Sequence, residues 1–141
     1  MKRTKLLIIT VVFLIIALNI AYFSLNYTKE GNALIATNFI KNEATYKFDG
    51  ISETFKLSET ILSQCSYCWE FTFEYQSRNS GYGDRKNTSE DAVITNHSAK
   101  ITLEKGKIQS AVLDNTWDMK AQKPLGAARS AGGSSVRGSL R

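Results

Sequence analysis

At 141 residues the chain has room for one domain and its appendages. Its composition, 43% hydrophobic and 22% charged with a single proline, is that of a globular chain and excludes a Pro-rich linker. The formal net charge of +5 suggests a nucleic-acid binder until it is divided along the chain. Lys2, Arg3 and Lys5 come before the first apolar run, and residues 120–141 carry five more basic residues and no acid. Residues 26–119 therefore hold ten basic residues against all thirteen acidic ones, about −3. That segment lacks the positive footprint that a phosphate backbone demands, so nucleic acid is set aside as a partner.

From Leu6 to Leu25 the chain has no charged residue. Twenty helical residues rise about 30 Å, the thickness of a bilayer's hydrocarbon core. Residues 1–26 thus read as a basic stub and a transmembrane anchor, with the lipid bilayer as a partner through residues 6–25. The three cations ahead of the apolar run predict a cytoplasmic N-terminus and a domain outside. A cleaved signal peptide is the competing reading. The apolar run is longer than the usual signal core, and Asn19-Ile20-Ala21 does not match the small-x-small cleavage pattern. Both readings export the domain.

Residues 27–119 read as an extracytoplasmic α+β domain, one helix packed on an antiparallel meander of four to five strands. Thr28 is placed to cap a helix running to about Asn42, with Ala33, Ile35, Ala36, Phe39 and Ile40 as its apolar stripe. Tyr46 and Phe48 alternate with Thr45 and Lys47, which predicts a first strand. Phe55 and Leu57 alternate with Thr54 and Lys56 towards Ile61, which predicts a second. Trp69, Phe71, Phe73 and Tyr75 then point one way, and Glu70, Thr72 and Glu74 the other. Ala99, Ile101 and Leu103 share a face, Glu104-Lys105-Gly106-Lys107 makes a turn, and Ile108–Leu113 returns. After Met119 the chain holds little apolar character beyond alanine, so residues 120–141 read as a disordered basic tail.

No Ser/His/Asp set, phosphate-binding loop or dinucleotide glycine motif is discernible, and the domain is read as non-catalytic. Cys65-Ser66-Tyr67-Cys68 can close a disulfide if it forms the turn between two strands, and an exported compartment permits one. The alternatives are a thiol-redox centre or a metal site. The former is disfavoured because redox motifs of this spacing sit at helix N-termini. The latter would join Cys65 and Cys68 to His97 and a carboxylate or water, in a chain with only two cysteines and one histidine. No cofactor is otherwise implied. His97 is in phase with Ala99 and Ile101, as a buried residue near a strand's end would be. Residues 78–91 make a long connection that either presents Tyr82, Asp84 and Arg85 to a partner or is simply solvated. With Trp69, these three are the candidate binding residues. Glu70 and Glu74 read as an ordinary wet strand face. Asn26, Asn87 and Asn96 begin glycosylation sequons, a number close to chance in so Asn- and Ser/Thr-rich a chain.

The blocks CSYCWEFTFEYQS, GYGDR and ITNHSAKITLEKGKIQSAVLDNTWDM resemble a group of small exported archaeal and bacterial proteins of unassigned function. The resemblance covers residues 30–119 and stops before the tail. More loosely, the last hairpin with Gly106 and Asp114 is similar to the end of PepSY-type domains, and a helix followed by a meander is shared with cystatin-like folds. Those resemblances imply a peptidase-regulating role; the principal expectation from the residues is a non-catalytic interaction domain whose partner is an envelope protein or peptidase.

Overall fold

The structure, a computed structural model, describes residues 2–86 and 92–126. Its first helix, α1 (Lys2–Tyr27), contains a segment, Arg3–Ser24, long and apolar enough to cross a membrane, and none of that segment is buried against the rest of the chain. An apolar helix with no protein surface to cover fits a membrane anchor.

Thr28 ends α1 and starts α2 (Lys29–Asn42), its hydroxyl accepting a hydrogen bond from the Gly31 amide at 3.1 Å. Ala36 and Ile40 of α2 are fully buried, and Ala33, Ile35 and Phe39 pack beside them. The expected stripe is therefore the face laid on the sheet.

The strand expected at Tyr46–Phe48 is instead a second short helix, α3 (Ala44–Asp49). Four alternating residues cannot distinguish a strand from a single helical turn, and Glu43 decides the outcome. Its buried carboxylate accepts bonds from the amides of Thr45 at 2.9 Å and Tyr46 at 3.3 Å, so it caps a helix. Burial then falls on Thr45, Tyr46 and Asp49, a helical spacing.

Six antiparallel strands follow in sequence order: β1 (Gly50–Leu62), β2 (Cys68–Ser77), β3 (Thr95–Glu104), β4 (Lys107–Leu113), β5 (Trp117–Asp118) and β6 (Lys123–Pro124). The α+β class and the meander are as the sequence implies, with two short strands added at the far edge. The central pair, β2 with β3, is in unbroken register from Cys68 opposite Glu104 to Ser77 opposite Thr95. Phe71, Phe73 and Tyr75 meet Ala99, Ile101 and Leu103 on the face under α2, joined by Ala111, Leu113 and Met119. The turn between β3 and β4 is Lys105-Gly106, both at positive φ (49° and 75°), the backbone a two-residue hairpin requires.

Strand β1 departs from simple alternation. Ile51 pairs with Gln76 and Lys56 with Glu74, so Ser52–Phe55 stand opposite Tyr75 alone, and a second register shift falls between Leu57 and Glu59. The bulge turns Phe55 into the core, its ring 5.3 Å from that of Phe73. Leu57 and Ile61, expected on the same face as Phe55, are exposed.

The folded chain also runs past Met119, where the sequence suggested that order ends. The Gln122 amide donates to Glu43 Oε1 at 2.8 Å, the Leu125 amide donates to Thr116 O at 2.7 Å, and β6 pairs with β5. Polar contacts hold this segment, so hydropathy does not reveal it. The rest of the expected tail, 127–141, lies outside the described residues, as do 87–91 with the Asn87 sequon.

Candidate functional site

The two ends of the sheet differ. At one end, α1, the Cys65–Cys68 loop and the β3–β4 turn converge. Asn32, fully buried on α2, donates to Asn26 O at 3.0 Å and Thr28 O at 2.8 Å, and accepts from the Gly106 amide at 3.1 Å. The Lys105 amide donates to Tyr67 O at 3.1 Å, and the rings of Tyr27 and Tyr67 meet edge to face at 5.0 Å. A side chain at Gly106 would collide with Asn26. Asn26 is thus half-buried at this junction, in contact with the Gly106 turn.

Cys65 and Cys68 form a disulfide across the β1–β2 turn, with Cα atoms 5.5 Å apart. His97 lies opposite Tyr75, while Cys68 lies opposite Glu104. Seven residues of strand separate them, about 23 Å at roughly 3.3 Å each. The structure therefore does not assemble Cys65, Cys68 and His97 into one site, and among the described residues no cluster of three or more metal-ligating side chains occurs.

At the other end, His97 joins residues remote in sequence. Its ring nitrogens face Asp114 Oδ2 at 2.7 Å (Nδ1) and Ser77 Oγ at 3.0 Å (Nε2). A serine–histidine–aspartate relay thus exists in space although no spacing announced it. Strand phase places Ser77 with Tyr75 and His97 with Ala99, both inward. Asp114, at φ 51° just past β4, has no comparable sequence signal.

Ser77 and His97 are buried, whereas the Asp114 side chain is 22% exposed, and His97 and Asp114 both border the groove described below. Ser77 is fully buried, and its hydroxyl donates to Asn79 O at 2.6 Å. With that proton committed to a carbonyl, the Nε2 contact requires the proton on the ring. Nδ1 faces a carboxylate, which can only accept. Burial pushes the Asp114 carboxyl up, but bonds from His97, the Ser98 amide (2.7 Å) and Tyr82 (3.1 Å), with the charge of His97, bring it below its ordinary value.

The candidate binding residues do not form one surface. Tyr82 stacks on Trp117 at 5.5 Å and accepts a bond from the Thr116 hydroxyl at 3.1 Å. Burial raises its phenol. Asp84 is exposed and pairs with Lys86 at 3.3 Å. Trp69, near the disulfide end, is half-buried against the core and stacks on Phe71 at 6.3 Å. Arg85, expected to face a partner, is buried: its Nη2 pairs with Asp49 at 2.6 Å, Nη1 donates to Ser80 O and to Gly81 O at 3.0 Å, and the guanidinium lies 4.8 Å from the Phe48 ring. Asp49 also accepts from the Asn79 amide and side chain, each at 2.8 Å, and Thr45 Oγ1 accepts from the Gly83 amide at 2.9 Å. The GYGDR block is thereby fastened to α3.

What opens outward beside the relay is a groove of about 520 Å³ on the wet face of the sheet, next to the bulge in β1. Glu53, Lys56, Glu74, Gln76, Asn96 and Ser98 line it, with Asp114 at its end. Thr54 holds the bulge in place, its hydroxyl donating to Ile51 O at 2.7 Å and accepting from the Gln76 amide at 2.8 Å. Lys56 pairs with Glu74 at 2.9 Å, and Gln76 donates to Asn96 at 2.9 Å. Tyr75 and His97 also border it, and of its lining residues only His97 is a candidate in the sequence, as a metal ligand; the alternation that marks a wet face gives no sign of a bulge.

Comparison with known proteins finds no matching family model, and no curated protein or solved structure of significant similarity. The fold and the groove define the class: an α+β domain carried on an apolar helix, with a polar cleft at the end opposite that helix.

Proposed function

We propose that the chain is a membrane-tethered, non-catalytic interaction module, with its N-terminus cytoplasmic and its domain outside, that recognises an envelope protein through the groove at the β1 bulge. The observation that carries the reading is the groove itself. It is lined by amides, hydroxyls and both signs of charge, and it stands about 23 Å along the sheet from the end where α1 joins. A tether that lifts a polar cleft off the bilayer suits capture of a protein segment. The basic residues Lys2, Arg3 and Lys5 before the span support the orientation, and the Cys65–Cys68 disulfide supports an oxidising compartment.

A peptidase as the partner is the second reading, favoured by the order of a helix followed by an antiparallel meander that PepSY-like and cystatin-like domains share. Fold order alone does not assign that role. A thiol-redox or metal role has less support, since the disulfide lies in a strand-joining turn far from His97.

Affinity capture from solubilised membranes with the full chain, beside an Asn96→Trp variant that fills the groove, tests the proposal. A protein retained by the unaltered chain and lost with the variant is expected. Identical retained sets from the two would overturn it.

A further inference from the structure

A second cleft, of about 310 Å³, opens at the opposite end of the molecule between α1 and the β3–β4 hairpin, lined by Tyr22, Tyr27, Glu104, Lys105, Lys107 and Gln109. Its height relative to a bilayer follows from the chain. Tyr22 lies within the apolar span Arg3–Ser24, and Tyr27 is the last residue of the same helix, about 7.5 Å further along its axis. Tyrosines in that position mark the zone of lipid headgroups. The hairpin is held at that level by the Asn32–Gly106 and Lys105–Tyr67 hydrogen bonds, so Lys105 and Lys107 are brought to the headgroups by a fixed backbone rather than by a mobile loop.

The charges in the cleft are unbalanced. Glu104 lies 4.0 Å from Lys105, and Lys107 makes no ion pair among the described residues. Two ammonium groups, one carboxylate, two phenols and an amide leave one positive charge and several donors facing the lipid. We infer that this cleft binds the phosphate of an anionic phospholipid headgroup, with Lys105 and Lys107 as the charged contacts and Tyr22 and Tyr27 as flanking donors. The inference rests on the reading of α1 as a membrane span. It gives the anchored domain a specific contact with the surface above which its groove is held.

The test uses the full chain, purified in detergent with equimolar phosphatidylglycerol and phosphatidylcholine and observed by native mass spectrometry. The cationic N-terminal stub favours anionic lipid in either case, so the informative quantity is the part of the preference lost on Lys105→Gln with Lys107→Gln. Each lysine charge near a membrane surface corresponds to about a five-fold preference, so the two removed in the double variant correspond to about thirty-fold. A loss of about that size in the double variant, with no loss in Lys86→Gln, supports the site. An unchanged preference in the double variant would overturn it. Displacement of the lipid by inorganic phosphate at the same concentration would also overturn it, since the cleft would then be a site for free phosphate. Extraction of the chain from membranes by alkaline carbonate would remove the anchor reading as well, whereas a retained chain without the lysine-dependent preference removes the lipid site alone.

Discussion

At the scale of single residues, the most consequential finding is that charges which look available in the sequence are used internally. Arg85 and Asp49 are 36 positions apart, and their side chains are only 3% and 6% exposed. Removing one partner of such a pair leaves the other charge buried without compensation, at a cost of about 3–5 kcal/mol. Arg85→Ala is therefore expected to lower unfolding stability by that amount in urea titrations, and Asp49→Ala similarly. A change within experimental error would show that the pair does not hold the GYGDR block to α3. Asp114 gives a pH dependence. Its folded pKa lies below its ordinary value, so its contribution is fully present above the unfolded carboxylate value of about 3.9 and is lost as pH falls through the lower, folded value. Urea midpoints measured between pH 7 and pH 2 should show an acid limb that becomes shallower in Asp114→Asn. In Ser77 and His97 strand phase predicts inward-facing side chains, but nothing in the sequence says that they meet each other, because contact across strands depends on a register that distant residues set.

At the scale of elements, the parts legible in the sequence are those with a long, unbroken period. α2 shows its stripe over four turns, and β2 with β3 shows ten residues of alternation, and both form with the expected faces inward. Short or interrupted patterns mislead. Tyr46–Phe48 was too brief to separate strand from helix once Glu43 capped it, and β1 changes face at a bulge that no residue type announces. The segment beyond Met119 is held by Gln122 and by pairing of β6 with β5, contacts that composition does not report. The junction of anchor and domain rests on Asn32, which bridges α1, α2 and the β3–β4 turn. Asn32→Leu would leave the part-buried Gly106 amide without that bond, a loss of about 1 kcal/mol. Hydrogen exchange at Gly106 and Lys105 should then accelerate well above that of the β2–β3 core. Uniform exchange across the domain would contradict a local junction.

At the scale of the whole molecule, the account joins three features that sit along one axis. An apolar helix fits the membrane, a hairpin and disulfide loop pack at its exit, and a polar groove lies at the far end of the sheet. The domain's negative charge, set against basic residues at both termini, belongs to the middle segment that carries the groove. The Ser77–His97–Asp114 relay, buried at Ser77 and His97, supports that end of the sheet, since Asp114 both receives His97 and lines the groove.

The central claim, a groove that contacts a protein partner above the membrane, is tested most directly by photo-crosslinking in intact cells. A photoreactive residue is placed at Asn96 in the groove, or at Asn38 on α2, away from the sheet. The account predicts a discrete protein adduct from position 96 and none from position 38. Equal adducts from both positions, or none from 96 in a chain shown to be folded and membrane-retained, would contradict it.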